Sequence, residues 1–542
     1  MVTPPQEIAQ VFEAALSEDP DRLAAVAASG GITYAELDAR ANRWARALQD
    51  QGVLAGDRVA ASLPNDLEIV AAFHGAMRLG AIWVGLNEAL AAPEKAYILG
   101  HSEAKLLLCG TETAAQIEAQ RAAVPAGLRS LVVAGAGSEE WEGALAAAET
   151  CAPGVNVDPF APAGISYTSG TTGLPKGVMQ SQWNMLIPGA YLNATRKYDT
   201  SLRKGDCFPL TILNMMVLTT LLTSQARGLA VIMDRVSSEA VAKWVRDEHV
   251  TVWNGPPPLL YTLAHDESVA PTDLQSLREV WSGGADCPES IRRAFESKFG
   301  VEVRSTYGLT EAPTVVAIEV PGAEHREKSS GTPLPHLELT IRDQGGVPQP
   351  SGEIGEICIS PRNPAETATR LAADWGVDPG EDQLPAYRLM LGYWNQPEDS
   401  DRALAGGFLR TGDAGSLDAD GQLTVSDRIS LMLNRGGANV YPAEIERVVV
   451  GIAGVDGCGV FGVPDERLGE RVAILVQFEA GSEGDLAALI EQLREQLAPY
   501  KVPELAAAVD SLPRNAMNKI DRRELAKVGA PLVVRLPRPS AA

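Results

Sequence analysis

The sequence predicts a layered α/β fold divided into more than one domain, and three observations carry that expectation. The chain is 542 residues long, which exceeds what one ordinary hydrophobic core organises. Apolar runs of strand length alternate with stretches of helical periodicity up to about Gly308, the pattern of parallel sheet covered by helices. A hydrophobic fraction of 45% and a charged fraction of 21% fit a globular protein that buries sizeable cores.

Taken in order, Ile8, Val11, Phe12 and Leu16 recur at helical spacing, and Thr33 with Glu36 forms a capping box for a second helix. That helix carries Leu37, Ala41, Trp44 and Leu48 on one face and meets Gly52 as its stop signal. A strand over 58–63, a helix over 66–79 and an apolar strand over 82–86 follow, and the cycle repeats through 97–99 and 105–109. After 229 the alternation returns as an apolar run over 229–233, a helix over 240–248 and a strand over 250–253, which predicts a second α/β layer. From about Glu338 the chain turns to short alternating segments, LELTIRD and EIGEICIS, broken by Gly, Pro and Asp; these read as a β-rich part of the main domain. A further shift near Asp427 opens about a hundred residues, enough for a small domain. There, 457–463 and 471–478 read as strands, and Leu486, Leu489, Ile490, Leu493 and Leu497 share one helix face. The tail PLVVRLPRPSAA reads as irregular.

Charge and cysteine usage exclude several function classes. With 46 basic and 70 acidic residues the net charge is −24, which argues against a nucleic-acid partner or a broad anionic-membrane surface. An anionic substrate must then be met by local positive groups. Cys109, Cys151, Cys207, Cys287, Cys358 and Cys458 are dispersed without a CxxC pair and read as small core residues. The N-terminus has no basic region followed by an apolar one, and no apolar run is long enough to span a bilayer, so a cytoplasmic location is expected.

Five segments carry the chemistry. The run YTSGTTGLPKG, 167–177, holds Gly170, Gly173 and Gly177 for close backbone approach to an anion. Thr168, Ser169, Thr171 and Thr172 add hydroxyls and Lys176 adds a charge, so the stretch can surround a polyphosphate; it is expected to join a strand to a helix. Pro175 before Lys176 and Gly177 after it argue against a Walker A loop, and a flexible linker is the competing reading. STYGLTEAP, 305–313, places Tyr307 to stack on a base, Thr310 to bond a phosphate and Glu311 to hold Mg²⁺ against phosphate oxygens, or else forms a turn with a helix cap. In FLRTGD, Asp413 comes after a tight turn and can accept both hydroxyls of a ribose. The stretch 427–446 contains Arg428 at the junction of the two domains and the pair Gly436 and Gly437. In LPRNAMNKIDRREL, Lys519 reads on composition alone as a surface lysine.

Together with SGGA at 282–285 and YKVP at 500–503, these motifs stand in the order found in the adenylate-forming superfamily of acyl-CoA synthetases, aryl-CoA ligases, peptide-synthetase adenylation domains and luciferases. The chain resembles that superfamily over nearly its whole length. The resemblance implies a large N-terminal adenylation domain, 1–427, of α/β layers with a β-barrel part. It also implies a hinge at 428–431 and a small mobile α+β domain, 432–542. It implies that 167–177 holds the ATP phosphates and that Gly283, Gly284, Ala285, Tyr307 and Gly308 border the adenine. It further implies that Thr310 contacts phosphate, Glu311 supports Mg²⁺, Asp413 holds the ribose and Arg428 contacts ribose or phosphate. By the same carry-over, Lys519 is expected to bridge the substrate carboxylate and the α-phosphate, and the loop at Gly436 and Gly437 to meet the pantetheine thiol once the small domain has turned.

By the same resemblance, Ile212, Asn214, Met215, Met216, Trp253 and Gly283 line an apolar acid pocket; Met215, Met216 and Trp253 serve equally as core residues. The implied activity is ATP-dependent acyl-adenylate formation with pyrophosphate release, then thioester formation with CoA, in a monomer or homodimer. The alternative acceptors are an amine, a carrier thiol, or nitrite activated for arylamine diazotisation. The chain departs from the family pattern at Gln182, at Thr211 and Ile212, at Ser430 and Leu431 of the hinge, and at Asn518 before Lys519. These departures bear on the acceptor more than on adenylation.

Overall fold

The computed structural model describes residues 5–169, 174–283, 287, 289–343, 345–378, 384–428, 433–440, 442–479, 484–513 and 522–535. The chain divides into a larger unit of Met1–Glu88, Tyr97–Thr168 and Lys176–Ile429 and a smaller unit of Ala89–Ala96, Ser169–Pro175 and Ser430–Ala542.

In the larger unit the apolar runs become parallel strands buried on both faces, which is why they read as unbroken apolar stretches rather than as alternation. Leu106, Leu107, Leu108 and Cys109 are all fully buried in such a strand. A seven-stranded sheet runs Gly392–Tyr393, Pro175–Ser181, Pro162–Ser169, Ile82–Gly85, Arg58–Ser62, Leu106–Gly110 and Arg129–Ala134. Its inner pairs, from Pro162–Ser169 to Arg129–Ala134, are parallel. The helix Tyr34–Asp50 opens with the expected capping box, in which the Glu36 N–H donates to Thr33 Oγ1 and the Thr33 N–H to Glu36.

A nine-stranded sheet holds the second set of alternating elements, with Arg203–Asp206, Val252–Asn254, Glu279–Ser282 and Glu302–Leu309 side by side and parallel where they meet. Its far edge is built from Leu23–Ala27 and Gly30–Thr33, strands that precede the first sheet in the chain. The β-rich segment is a four-stranded antiparallel sheet of Leu337–Arg342, Gly355–Pro361, Leu409–Leu417 and Leu423–Arg428.

Four local expectations are corrected. The phosphate-loop segment joins two strands, Pro162–Ser169 and Pro175–Ser181, not a strand to a helix; the helix starts only at Gln182, where the Ser181 hydroxyl accepts the Asn184 N–H. The segment 305–313 is no helix cap: the strand Glu302–Leu309 runs through Tyr307, turns at 310–313 and returns as Thr314–Ile318, a hairpin. Cys151 is exposed rather than a core residue, while Cys109, Cys207, Cys358 and Cys458 are buried. Within the tail, Val534–Arg535 pairs with Leu505–Ala508.

The smaller unit, taken by itself, is a sheet of Ala438–Val440, Leu433–Arg435, Gly469–Phe478, Leu505–Ala508 and Val534–Arg535, with the long strand Val455–Asp465 also on Gly469–Phe478. The helix Leu486–Gln496 buries Leu489, Ile490 and Leu493 against it, as its 3.6-residue period requires. Gly436 and Gly437 sit at φ +65° and +85° in the turn between its first two strands, a conformation an L side chain resists. Among the described residues no helix is long and apolar enough to cross a membrane.

Candidate active site

Four candidate residues of the larger unit lie at or near the carboxyl ends of strands that run parallel to a neighbour, where open α/β sheets place ligands. Thr168 is near the end of Pro162–Ser169, Gly283 directly follows Glu279–Ser282, and Tyr307 and Gly308 are near the end of Glu302–Leu309. The hairpin after Gly308 is drawn tight: a Cβ on Gly308 would lie 1.9 Å from the Thr314 carbonyl oxygen, and Thr314 itself adopts φ +72°. A β-branched residue in that region stores about 1–3 kcal/mol of strain, which the hairpin spends on a fixed turn at Thr310 and Glu311.

Two contacts join residues that are far apart in sequence. The Tyr307 hydroxyl donates to Asp413 Oδ2 at 2.7 Å, and Asp413 is buried. Asp413 lies inside the strand Leu409–Leu417 rather than after a free turn, and its backbone faces Arg428 across the antiparallel pair. The second contact runs through Tyr393, whose hydroxyl donates to Glu311 Oε1 at 3.0 Å while Lys176 Nζ stands 5.1 Å from its ring centroid. Gln180 pins the hairpin turn to the strand that carries Lys176, its Nε2 donating to the Thr310 carbonyl at 2.9 Å and the Glu311 carbonyl at 3.2 Å. Lys176 Nζ also pairs with Asp399 Oδ2 at 2.7 Å.

At the start of the loop, burial pushes the Tyr167 phenol far above its ordinary value, and His101 Nδ1 lies 2.9 Å from its oxygen. Burial lowers the His101 imidazole, so the pair is neutral near pH 7 and adds no charge beside the phosphate loop. The donor set at Glu311 suits Mg²⁺. Glu311 is a partly exposed carboxylate oriented by a neutral phenol, and among the described residues no cluster of three His, Cys, Asp or Glu forms an all-protein cage. Mg²⁺ characteristically binds through one or two carboxylates and substrate phosphates while keeping several waters.

Residues 12–367 match the family model of the AMP-binding enzymes, and residues 444–519 match that of the AMP-binding enzyme C-terminal domain. The chain belongs to the AMP-binding enzyme family. One relative of this AMP-binding enzyme is the long-chain-fatty-acid–CoA ligase FadD13 of Mycobacterium tuberculosis, 32% identical over 500 residues, 90% of this chain and 91% of the relative. Another is the feruloyl-CoA synthase of an Amycolatopsis species, 32% identical over 498 residues, 91% of this chain and 93% of that one. Among solved structures, the amide bond synthetase McbA from Marinactinospora thermotolerans aligns with a TM-score of 0.81 at 27% identity, covering 96% of this chain and 99% of that one.

In this AMP-binding enzyme the expected acid-pocket residues separate into two groups. Ile212 is 38% exposed, and Asn214 and Met215 are partly exposed, around the start of the helix Leu213–Met215. The helical path then widens to a π-helical stretch over Met216–Leu221, a distortion frequent at functional sites. Met216 and Trp253 are fully buried, each in a different apolar cluster. Gly170, Thr171, Thr172, Gly173, Gly284, Ala285, Ser430, Leu431, Asn518 and Lys519 lie outside the described residues, as do the side chains of Ser169 and Arg428. Sequence reasoning missed Tyr393, Asp399 and Gln180. The signal that could have found Asp399 is the need of a shielded Lys176 for a counter-ion; Tyr393 and Gln180 have no local signal.

Proposed function

We propose that this enzyme activates a carboxylic acid with ATP as an acyl-adenylate, releasing pyrophosphate, and then passes the acyl group to CoA as an AMP-forming acid–CoA ligase. The observation that carries the reading is the Tyr393 contact, which puts the phosphate-loop cation Lys176 and the carboxylate Glu311 on one ring although 135 positions separate them. The names of its relatives, a fatty-acid–CoA ligase and a feruloyl-CoA synthase, support the same reaction class.

In that reaction Asp413 accepts the ribose hydroxyls, with Tyr307 holding its carboxylate and bordering the adenine together with Gly283, Gly284, Ala285 and Gly308. Thr168 to Gly173 and Lys176 enclose the β- and γ-phosphates, and Thr310 bonds a phosphate oxygen. Glu311 would hold Mg²⁺, which neutralises the charge that develops on the phosphates when bound. Attack of the substrate carboxylate on the α-phosphorus spreads negative charge over the nonbridging oxygens, so the protein contributes mainly positioning and cations. Lys519 supplies the cation at the α-phosphate and the substrate carboxylate. Arg428 assists at the ribose or phosphate. For the second half-reaction the small domain turns about 428–431 and brings Gly436 and Gly437 to the pantetheine thiol. Ile212, Asn214 and Met215, exposed or partly exposed, border an acid with an apolar or aromatic body, backed by Met216 and Trp253.

A second reading keeps adenylation and replaces CoA by an amine, and the likeness to an amide bond synthetase favours it. Pyrophosphate release across a panel of fatty and aryl acids, with CoA, with an amine and with neither, tests both readings. Acid-dependent pyrophosphate with a thioester product by mass supports the ligase, and an amide without thioester supports the second reading. No acid-dependent pyrophosphate across the panel overturns both.

A further inference from the structure

We infer that Tyr393 is a positioning residue that sets Glu311 and Lys176 as a pair for the metal-bound triphosphate, and that Asp399 is the counter-anion from which Lys176 is transferred to phosphate; this rests on the ATP reading above. Tyr393 is fixed from three sides. Its strand, Gly392–Tyr393, pairs antiparallel with Met179 and Val178, directly after Lys176 and Gly177. The Trp394 N–H donates to the Gly177 carbonyl at 2.7 Å, and the Tyr393 N–H donates to Ser400 Oγ at 2.8 Å. The ring therefore moves with the strand that carries Lys176, while its hydroxyl holds Glu311.

A neutral ring that touches both groups solves an electrostatic problem. A lysine and a glutamate brought to one triphosphate are opposite charges that would otherwise pair with each other, and each would then be lost to the ligand. The aromatic face attracts the ammonium without neutralising it. The phenol O–H fixes one carboxylate oxygen by a hydrogen bond that leaves the carboxylate charge intact for a hard cation.

Asp399 completes the device. Its pair with Lys176 is shielded, the side chains being 12% and 19% exposed for Lys176 and Asp399, so it is worth more than an open surface pair. Asp399 Oδ1 also accepts from Arg402 Nη1 at 2.9 Å. When Lys176 leaves for phosphate, the carboxylate keeps a cationic partner, and the exchange does not strand a half-buried charge. Lys176 is thus held ready by a partner it can abandon.

The two contacts of Tyr393 separate by substitution. Tyr393→Phe keeps the ring under Lys176 and removes the hydroxyl from Glu311; Tyr393→Leu removes both; Asp399→Asn weakens the ion pairs with Lys176 and with the exposed Arg402 and leaves both contacts of Tyr393 in place. Calorimetric titration of each protein with ATP, in Mg²⁺ and in EDTA, reads the contacts without turnover. Tyr393→Phe is expected to bind ATP as wild type does in EDTA but to lose about tenfold of the affinity that Mg²⁺ adds, the scale of one hydrogen bond to a charged group. Asp399→Asn is expected to bind ATP more tightly in EDTA, with the Mg²⁺ increment unchanged. Tyr393→Leu is expected to lose affinity in both media.

An unaltered Mg²⁺ increment in Tyr393→Phe overturns the Glu311 half, and an equal loss in both media reduces Tyr393 to a structural role. Unaltered ATP affinity in Asp399→Asn overturns the counter-anion half. Thermal melting identifies a variant that does not fold, and Tyr393→Phe and Asp399→Asn, which change few atoms, decide the matter if Tyr393→Leu fails. Pyrophosphate release by wild type is measured separately, so failure of the ligase reading and failure of the Tyr393 pairing are told apart.

Discussion

The short contact between Tyr307 and Asp413 shows how this site uses single residues. A buried polar group needs hydrogen-bond partners, and Tyr307 donates to Asp413 at 2.7 Å from a strand of a different sheet. With one oxygen held in this way, the orientation of the carboxylate toward two adjacent ribose hydroxyls is set before ATP arrives. Asp413→Ala is accordingly expected to raise KM for ATP about 10- to 100-fold, the range of 1.5–3 kcal/mol for hydrogen bonds to a charged group. Tyr307→Phe, which leaves the carboxylate in place, is expected to do less. Initial-rate measurements over ATP concentration check this, and equal KM values for Asp413→Ala and wild type would refute the ribose role. Asp413, Glu311, Thr310 and Lys176 were readable as candidates because each is a polar group set among glycines or turn residues, a combination that a packed core does not need. Tyr393 and Asp399 were not readable. Their partners lie more than eighty and two hundred positions away, and only the pairing of Gly392–Tyr393 with Val178 and Met179 brings them into place.

At the scale of elements, the parallel strands and their helices were legible because burial on both faces leaves an apolar run and burial on one face leaves a 3.6-residue period. The β-hairpin at 305–313 was not, because Gly, Thr and Pro signal a turn equally well before a helix and before a returning strand. Nor was the strand Pro175–Ser181, whose Val178 and Met179 fit either element. Two buried histidines give the elements a pH response. His74, on the helix Leu67–Arg78, packs at a tilt against Phe12 with ring centroids 4.5 Å apart, and neither ring nitrogen makes a hydrogen bond among the described residues. His336 stacks on Tyr191 at 4.2 Å, just before the strand Leu337–Arg342. Burial pushes both imidazoles down to about 3. Above pH 6.5 they are neutral folded and unfolded and contribute no pH dependence. Below it the unfolded chain takes up the proton and the folded chain refuses it, so stability falls by about 1.4 kcal/mol per pH unit for each histidine until pH reaches about 3. His74→Leu is expected to lose about 2–3 kcal/mol less stability than wild type between pH 6.5 and 4.5. Urea unfolding at the two pH values measures the difference, and parallel pH profiles would count against it.

At the scale of the whole molecule, the division into two units matches a reaction with two half-reactions. The ribose, phosphate and metal candidates Asp413, Lys176, Thr310 and Glu311 belong to the larger unit. Ser169 to Gly173 of the phosphate loop, Lys519 and the turn at Gly436 and Gly437 belong to the smaller. In the proposed reaction the carboxyl group meets a cation during adenylation and the thiol of CoA afterwards, and an ammonium and a thiolate present together would pair. In the proposed reaction Lys519 and the turn at Gly436 and Gly437, which would receive the pantetheine, are different parts of one small domain that a rotation would exchange, so damage to either should appear in one half-reaction alone. Lys519→Ala is expected to slow pyrophosphate release under single turnover by about 10²-fold or more, the scale of removing one transition-state stabiliser, while leaving CoA attack on a supplied acyl-adenylate near wild type. Gly437→Val, which forces a β-branched residue toward φ +85°, is expected to do the reverse, slowing thioester formation while pyrophosphate release persists. Melting curves separate a local change in the turn from unfolding of the smaller unit. If both substitutions slow both half-reactions to the same extent, the two groups act together in one fixed arrangement and the exchange does not occur.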